Sequence, residues 1–259
     1  SDFLSRRANV YPAYHDFLKV LSGYTGVEED QLLLSNGSDH GIELVLRCFL
    51  ETGDELVMAL PGFAMFEQVA STLGARVTGP RYSENMEFPA EALHQAVHDK
   101  TRLMVLINPN NPTGTTISPD AIKNFLESFP DLPILVDEAY FEFSGQTAAG
   151  LLGDFSNLII LRTFSKALAL PSLRLGYVMA HPELIKQLAK IRGPFDINSA
   201  AVVAAKVQLE NPVGWQALTR HLMDEVKPAL EHFFRENEVR FYPSSANFML
   251  VEMMDAKSA

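Results

Sequence analysis

The fold class of this chain is decided by residues 159–177, I-I-L-R-T-F-S-K-A-L-A-L-P-S-L-R-L-G-Y. This stretch continues an apolar run over 158–161, which is typical of a buried strand, and leads into a second apolar run over 175–180. Four polar residues follow the first run: Arg162, Thr163, Ser165 and Lys166. A lysine between two buried strands is expected to be desolvated, which lowers the pKa of its amine and makes it nucleophilic. The alternative for an isolated S-x-K is a surface lysine on a loop between strands.

Strand and helix patterns alternate without a break from residue 32 to about residue 190. Seven strands are predicted, over 32–34, 55–60, 76–78, 102–107, 134–136, 158–161 and 175–180. Strands that alternate with helices are typical of a mostly parallel sheet with helices on both faces. The predicted fold class is therefore α/β, with a large domain built on a seven-stranded sheet.

The pattern changes on either side of this alternating region. An amphipathic helix is predicted over 12–23, and two long helices over 200–209 and 215–234, with an interruption of the second helix at Pro228. Two strand-like runs follow, over 239–242 and 247–252. We therefore expect an N-terminal segment (1–25), a large domain (26–197) and an incomplete small α+β domain (198–259).

Composition excludes several classes of protein. The 259 residues carry a formal net charge of −11, and no run is rich in Lys or Arg. Nucleic acid and anionic membranes are therefore not expected as partners. Cys48 is the only cysteine, so no intramolecular disulfide can form. Because no apolar run approaches the length of a membrane span or resembles a signal peptide, the sequence predicts a cytoplasmic protein.

Polar or aromatic clusters follow five of the predicted strands. They are Ser38-Asp39, Phe63, 108–114, 137–140 and 163–166. In open α/β sheets, ligands bind beyond the carboxyl ends of the strands, so these clusters are expected to meet at one edge. Each cluster also has an ordinary structural explanation, such as helix capping by Ser38 or Asp39, or core packing of Phe63.

The five clusters and Arg174 together offer a candidate for every group that pyridoxal phosphate requires. Lys166 could bind its aldehyde, and Asp137, at the end of an apolar strand, could keep its pyridine nitrogen protonated. Asn111 and Tyr140 could donate hydrogen bonds to the ring oxygen, and Phe63 could lie flat on the ring. The phosphate could be held at a helix N-terminus by hydroxyls and a guanidinium. The candidates for that role are Ser38, Asp39 through its backbone N–H, Thr163, Ser165 and Arg174.

Three ordered motifs resemble those of fold-type I aminotransferases, specifically the histidinol-phosphate aminotransferase group. They are N-P-N-N-P-T-G (108–114), D-E-A-Y (137–140) and R-T-F-S-K-A-L-A-L-P-S-L-R-L-G-Y (162–177). The resemblance covers essentially the whole chain and implies the fold, pyridoxal phosphate and the same site residues, with Lys166, Asp137 and Tyr140 as catalytic residues. It also implies a homodimer in which Tyr11 reaches the cofactor of the partner subunit. A structural tyrosine beneath the first helix is the alternative for Tyr11.

The chain departs from the family pattern at three places. His40 stands where the family usually has Glu, Phe63 where it usually has Tyr, and Pro171-Ser172 where it commonly has Ala-Gly. No residue matches the family's arginine for the substrate carboxylate. We therefore expect a chain that is truncated at both ends.

The resemblance implies transfer of an amino group between a phosphorylated amino alcohol or an amino acid and 2-oxoglutarate, as in histidine biosynthesis. Threonine-phosphate decarboxylases and aromatic or broad-range aminotransferases share the same motifs. A cofactor-sensing domain of a transcription regulator is an alternative from a different class, since fold alone does not fix function.

Overall fold

The computed structural model describes residues 9–252, and the remaining ends of the two outer predicted units lie outside the described residues. Seven strands form one sheet. They are β1 (Leu32–Ser35), β2 (Glu55–Met58), β3 (Arg76–Thr78), β4 (Thr101–Ile107), β5 (Ile134–Asp137), β6 (Leu158–Thr163) and β7 (Gly176–Ala180). The helices that connect them are α1 (His15–Thr25), α2 (Gly37–Phe49), α3 (Met65–Thr72), α4 (Ala90–Gln95), α5 (Pro119–Ser128), α6 (Phe141–Ser144) and α7 (Pro182–Ile191).

The strand order is β1-β7-β6-β5-β4-β2-β3. The pairs from β6 through β5, β4 and β2 to β3 are parallel, and β7 is antiparallel to both of its neighbours, β6 and β1. The predicted seven-stranded, mostly parallel α/β sheet is confirmed. Because β1 lies antiparallel to β7, it runs in the same direction as the parallel strands. Its carboxyl end, where α2 begins, therefore lies at the same sheet edge as theirs.

Buried side chains alternate between the two faces of the sheet. On β5, Ile134 and Val136 belong to one apolar cluster, whereas Leu135 belongs to the other. The first cluster continues into α1 and α5, and the second continues into α2, α3 and α7. Both faces are therefore covered, which explains why the strands are continuously apolar in the sequence.

Several predicted ends are displaced. The first helix begins at His15 rather than residue 12, and β2 ends at Met58 rather than residue 60, shortly before Pro61 and Gly62 turn the chain. β6 extends to Thr163, so Arg162 and Thr163 are strand residues and not part of a polar loop. Antiparallel pairing with β7 holds them in the sheet.

The region after residue 198 is helical, as predicted. It contains α8 (Ser199–Glu210), α9 (Val213–His221), a π-helical turn (Leu222–Val226) and α10 (Lys227–Glu236). The predicted interruption of the second helix is present as the π turn, and Pro228 lies in the first turn of α10 that follows it. The two predicted strands over 239–242 and 247–252 are reduced to one antiparallel bridge, Phe241 to Val251, since residues 9–252 contain no third strand that supports them.

Helix α1 packs against α8, so the predicted N-terminal and C-terminal units touch. Phe17 and Leu21 of α1 and Ala201 of α8 belong to the same buried cluster as one face of the sheet. The division at residues 25 and 197 remains a prediction. Within residues 9–252, no helix is both long enough and apolar enough to span a membrane.

Candidate functional site

A pocket of about 200 Å³ opens at the carboxyl edge of the sheet. Segments that follow β2, β4, β5 and β6 form its walls, together with the first turn of α2 and the turn before β7. It is lined by Ser38, Asp39, Phe63, Ile107, Asn111, Asp137, Ala139, Tyr140, Ser165, Lys166, Pro171 and Arg174. Every predicted site residue except Thr163 and Tyr11 is therefore in one place.

Lys166 lies in the pocket but is exposed, and the expectation of a desolvated lysine is wrong. It comes three residues after the end of β6, in the turn that leads away from the sheet, so the neighbouring strands do not cover it. Its Nζ lies 5.2 Å from the centroid of the Tyr140 ring. The amine is thus accessible to a ligand that enters the pocket.

Asp137 is the last residue of β5 and is 3% exposed. Its Oδ1 accepts a hydrogen bond from the Ala139 N–H at 3.0 Å, while Oδ2 receives none from residues 9–252. The pKa of this carboxyl is raised to about 7, chiefly by burial and also by the charges of Asp39 and Glu138, while the Ala139 hydrogen bond and Lys166 act in the opposite direction. A cation beside Oδ2 would stabilise the ionised form.

The loop after β4 presents one of its three asparagines to the pocket. Asn108 is used for folding, because its side chain donates to the Ile117 carbonyl at 3.0 Å and accepts the Ile117 N–H at 2.9 Å. Asn110 donates to Thr113 Oγ1 at 2.9 Å. Asn111 remains available, and its Nδ2 donates to the Tyr140 hydroxyl at 3.4 Å. The two predicted ring-oxygen donors are therefore neighbours.

An anion-binding end is formed by the first turn of α2, Ser165 and Arg174. Arg174 Nη2 donates to Asp39 Oδ2 at 2.8 Å, so the guanidinium is held beside the helix N-terminus. Its backbone has φ 53° and ψ 61°, a left-handed conformation that is uncommon for a residue other than glycine. The preceding Pro171–Leu173 turn produces this conformation, and Arg174 Nη1 donates back to the Pro171 carbonyl at 3.1 Å.

Gly176 lets β7 approach the same helix N-terminus closely. A Cβ at this position would lie 2.8 Å from the Ser38 backbone nitrogen and 2.9 Å from the Arg162 carbonyl oxygen. Any larger residue would push α2 away from the strand. The backbone N–H groups at the start of α2 therefore remain close to Arg174 because position 176 has no side chain.

His40, where the related family usually has Glu, supports this helix start. Its Nδ1 accepts a hydrogen bond from the Asn36 N–H at 3.1 Å and lies 3.5 Å from Asp196 Oδ2. The replacement therefore caps the turn between β1 and α2 from within the chain.

Two predicted site residues are not in the pocket. Thr163 is 2% exposed and its hydroxyl accepts the Ser165 N–H at 3.1 Å, so within this chain it shapes the turn before Lys166. Tyr11 is 74% exposed and stacks on Phe195 with ring centroids 4.2 Å apart. Its predicted contact with a partner subunit remains a prediction.

A buried ion pair beneath the pocket was not assigned from the sequence. Arg162 Nη2 lies 2.8 Å from Glu138 Oε2, and the two side chains are 4% and 0% exposed. Both residues belong to the quoted motifs, and opposite charges that end adjacent apolar strands are the signal that could have identified them. Ile107, Ala139 and Pro171 also line the pocket and carry no polar signal in the sequence.

Comparison with known proteins identifies the family to which this chain belongs. The family model described as "Aminotransferase class I and II" matches residues 4–259. The chain belongs to the class I and II aminotransferases. These enzymes use pyridoxal phosphate.

This aminotransferase is 38% identical over 253 residues to a histidinol-phosphate aminotransferase of Geobacillus sp. (strain WCH70), covering 94% of this chain and 68% of the relative. It is 36% identical over 258 residues to the enzyme of the same name from Roseiflexus castenholzii, covering 98% of this chain and 68% of the relative. The chain therefore spans roughly two thirds of the length of these relatives.

Solved structures support the same fold. The histidinol-phosphate aminotransferase of Clostridium acetobutylicum superimposes with a TM-score of 0.87 at 26% identity, over 98% of this chain and 77% of that one. The structure from Sinorhizobium meliloti, in complex with pyridoxal-5'-phosphate, gives a TM-score of 0.91 at 24% identity, over 99% and 71% of the two chains.

Proposed function

We propose that this aminotransferase moves an amino group between histidinol phosphate and 2-oxoglutarate, as part of histidine biosynthesis. The observation that carries the proposal is the meeting of Lys166, Asp137 and Arg174 in one pocket. The identity to relatives named histidinol-phosphate aminotransferase supports the choice of donor.

The residues of the pocket fit pyridoxal phosphate. Asp137 Oδ2 receives no hydrogen bond from the described residues, and a protonated pyridine nitrogen supplies both the donor and the positive charge that this buried carboxyl lacks. At the other end, Arg174 and the N-terminus of α2 suit a phosphate dianion. An amine, a buried carboxyl and an anion site in one pocket are what the cofactor needs.

Each residue has a defined task in this proposal. Lys166 Nζ would hold the cofactor aldehyde, and the same amine, once released from it, would move a proton to and from the substrate carbon. Asp137 holds the proton on the pyridine nitrogen, and Asn111 and Tyr140 donate to the ring oxygen. Phe63 covers one face of the ring. When it is bound, pyridoxal phosphate supplies the electron sink that stabilises negative charge on that carbon.

The phosphate is held by Ser38, Asp39, Ser165 and Arg174. Backbone N–H groups at the start of α2 are further donors. Thr163 acts on the same turn, because its hydroxyl accepts the Ser165 N–H. Arg174 carries the positive charge nearest to Asp39, and binding of a dianion would compete with that pair.

The experiment that tests the proposed donor compares amino donors with the purified full-length protein. Histidinol phosphate, threonine phosphate, phenylalanine and tyrosine are each incubated with 2-oxoglutarate, and glutamate and carbon dioxide are measured. Glutamate formed fastest from histidinol phosphate is the expected result. Carbon dioxide from threonine phosphate without glutamate would replace this proposal with a decarboxylase.

We also propose a cytoplasmic homodimer in which Tyr11 reaches the partner's site. A large apolar area is exposed around Tyr11. The exposed fractions are 74% for Tyr11, 51% for Phe195, 38% for Val203 and 54% for Val207. Light scattering at micromolar concentration is expected to give twice the mass of one chain. A monomer that retains its cofactor would contradict this part of the proposal.

A further inference from the structure

The Glu138–Arg162 ion pair is buried, and its residues are close in sequence to the pocket residues Asp137 and Lys166. Glu138 Oε2 accepts from Arg162 Nε at 2.9 Å, and the Ala148 N–H donates to Oε1 at 2.6 Å. The Thr147 hydroxyl lies 2.8 Å and 3.0 Å from the two carboxylate oxygens, and Arg162 Nη2 donates to it at 2.6 Å. Neither charged side chain lines the pocket.

This pair joins the two strands that carry the reactive groups. Glu138 follows Asp137 at the end of β5, and Arg162 precedes the turn that holds Lys166 at the end of β6. The backbone N–H of Glu138 also donates to the Leu161 carbonyl at 2.8 Å. The relative position of Asp137 and Lys166 therefore depends on contacts made by Glu138 and Arg162.

The same pair closes the loop that carries Tyr140. Residues 138–148 begin at Glu138 and return to its carboxylate through Thr147 and the Ala148 N–H. The Arg162 guanidinium lies 3.6 Å from the centroid of the Phe141 ring, next to Tyr140. A loop held at its base by charge-assisted hydrogen bonds and covered by a stacked guanidinium has little freedom.

We infer that Glu138 and Arg162 are positioning residues, which hold Asp137, Tyr140 and Lys166 in the arrangement that accepts pyridoxal phosphate. The inference rests on the proposed cofactor site and goes beyond it, because neither residue touches the pocket. A buried ion pair by itself is weak evidence of stabilisation. Because the pair joins β5 and β6, it fixes the position of Asp137 relative to Lys166.

The test compares Arg162→Gln, Glu138→Gln and the double variant with the wild-type full-length protein. Pyridoxal phosphate affinity is measured by absorbance titration, and amide hydrogen exchange is followed over residues 139–148 without cofactor. Arg162→Gln is expected to weaken cofactor affinity at least tenfold and to speed exchange in this segment by a similar factor. The control is Leu103→Ala, which removes a fully buried β4 side chain and also destabilises the fold.

The pH dependence of cofactor affinity separates positioning from general damage. Asp137 is affected by the charges of Asp39, Glu138 and Lys166, and Arg162 offsets the charge of Glu138. Loss of Arg162 leaves the Glu138 charge without its offset, so the pH midpoint of cofactor affinity should move to higher pH. Loss of the Glu138 charge should move this midpoint to lower pH. The double variant should return towards wild type, and Arg162→Lys, which keeps the charge without the fork, should recover part of the shift.

Two results would overturn the inference. The first is that Arg162→Gln and Leu103→Ala show the same cofactor affinity and the same amide exchange over residues 139–148. The second is that the pH midpoint of cofactor affinity moves in the same direction in Arg162→Gln and in Glu138→Gln. If wild-type protein forms no borohydride-reducible adduct at Lys166, the proposed function fails. Normal labelling of Lys166 together with either of the first two results rejects only the positioning role.

Discussion

The carboxyl edge of the sheet and the helices after residue 198 follow different packing rules. At the sheet edge, the charged residues Asp137, Glu138 and Arg162 are 3%, 0% and 3% exposed as whole residues, and specific partners hold the ion pair. In the helical region, apolar side chains such as Leu218 and Phe233 are 50% and 54% exposed. No residue of α10 is buried, although its sequence is amphipathic.

The structure of the sheet edge is determined by many contacts, whereas that of the helices after residue 198 depends on few. The strands of the sheet are covered on both faces, so each polar group at their ends has a fixed environment. The apolar face of α10 has no complete cover within residues 9–252. We therefore expect substitutions at the sheet edge to alter chemistry and stability strongly, and comparable substitutions in the helices to have small effects.

The largest contrast is expected between two lysines. Lys166→Ala should remove the visible absorbance of bound cofactor completely, because no other amine lines the pocket among the described residues. Lys227→Ala is the control, since Lys227 lies in α10 and donates to the Ser244 carbonyl. Lys227→Ala should keep the full absorbance of bound cofactor. Both variants are incubated with excess pyridoxal phosphate and measured after dialysis has removed the unbound cofactor. Equal loss in both variants would remove the contrast.

Asp137→Asn should retain part of the cofactor but reduce kcat by about 10²-fold or more, because a neutral amide cannot hold the proton on the pyridine nitrogen. Steady-state kinetics with saturating cofactor measure this. Asp224→Asn, on the π turn of the helical region, is the control and should leave kcat unchanged. A kcat for Asp137→Asn within twofold of wild type would mean that the carboxyl does not act on the cofactor.

A matched pair of leucines tests packing alone. Leu135, at the centre of β5, is 0% exposed, and Leu218 in α9 is 50% exposed. Leu135→Ala should lower the free energy of unfolding by about 2–5 kcal/mol, whereas Leu218→Ala should change it by about 0.5 kcal/mol or less. Urea unfolding of both variants measures the difference. Similar losses in both would show that the helical region is better covered than its exposed side chains indicate.

The smallest expected effect is a dependence of stability on pH in the cofactor-free protein. Burial raises the pKa of Asp137 to about 7 and that of Glu142 to about 8. Because both values lie above those of an unfolded chain, the folded protein binds more protons and loses stability as pH rises through these values. Between pH 6 and pH 8, Asp137 should contribute about 1 kcal/mol to this loss and Glu142 about 2 kcal/mol.

Urea unfolding at pH 6, 7 and 8 measures this loss. Asp137→Asn and Glu142→Gln should each flatten the curve, because the group that releases a proton is absent. Stability that rises from pH 6 to pH 8, with parallel curves for the variants, would contradict the raised pKa values.

The sequence predicted the sheet edge well for physical reasons that can be named. Continuous apolar runs such as 158–161 are typical of strands buried on both faces, and parallel strands bring their carboxyl ends together. Asp137, Asn111 and Lys166 could therefore be placed in one site without coordinates. The motif resemblance then assigned each of them a role.

Other features depend on information that the linear pattern does not contain. The Glu138–Arg162 pair requires the register between β5 and β6, and the exposure of Lys166 depends on the path of the turn after Thr163. In the helical region, periodicity predicted α8 to α10 but could not show whether anything covers their apolar faces. The runs over 239–242 and 247–252 look like strands locally, but the part of the chain that the structure describes contains no third strand to pair with them.

The most direct test of the central claim is the identity of the lysine that binds the cofactor. Full-length protein is incubated with pyridoxal phosphate, reduced with borohydride, digested and analysed by mass spectrometry. We expect one modified peptide, with the phosphopyridoxyl group on Lys166. A phosphopyridoxyl group on another lysine, or no modified peptide under conditions in which the protein is folded, would contradict this account of the site.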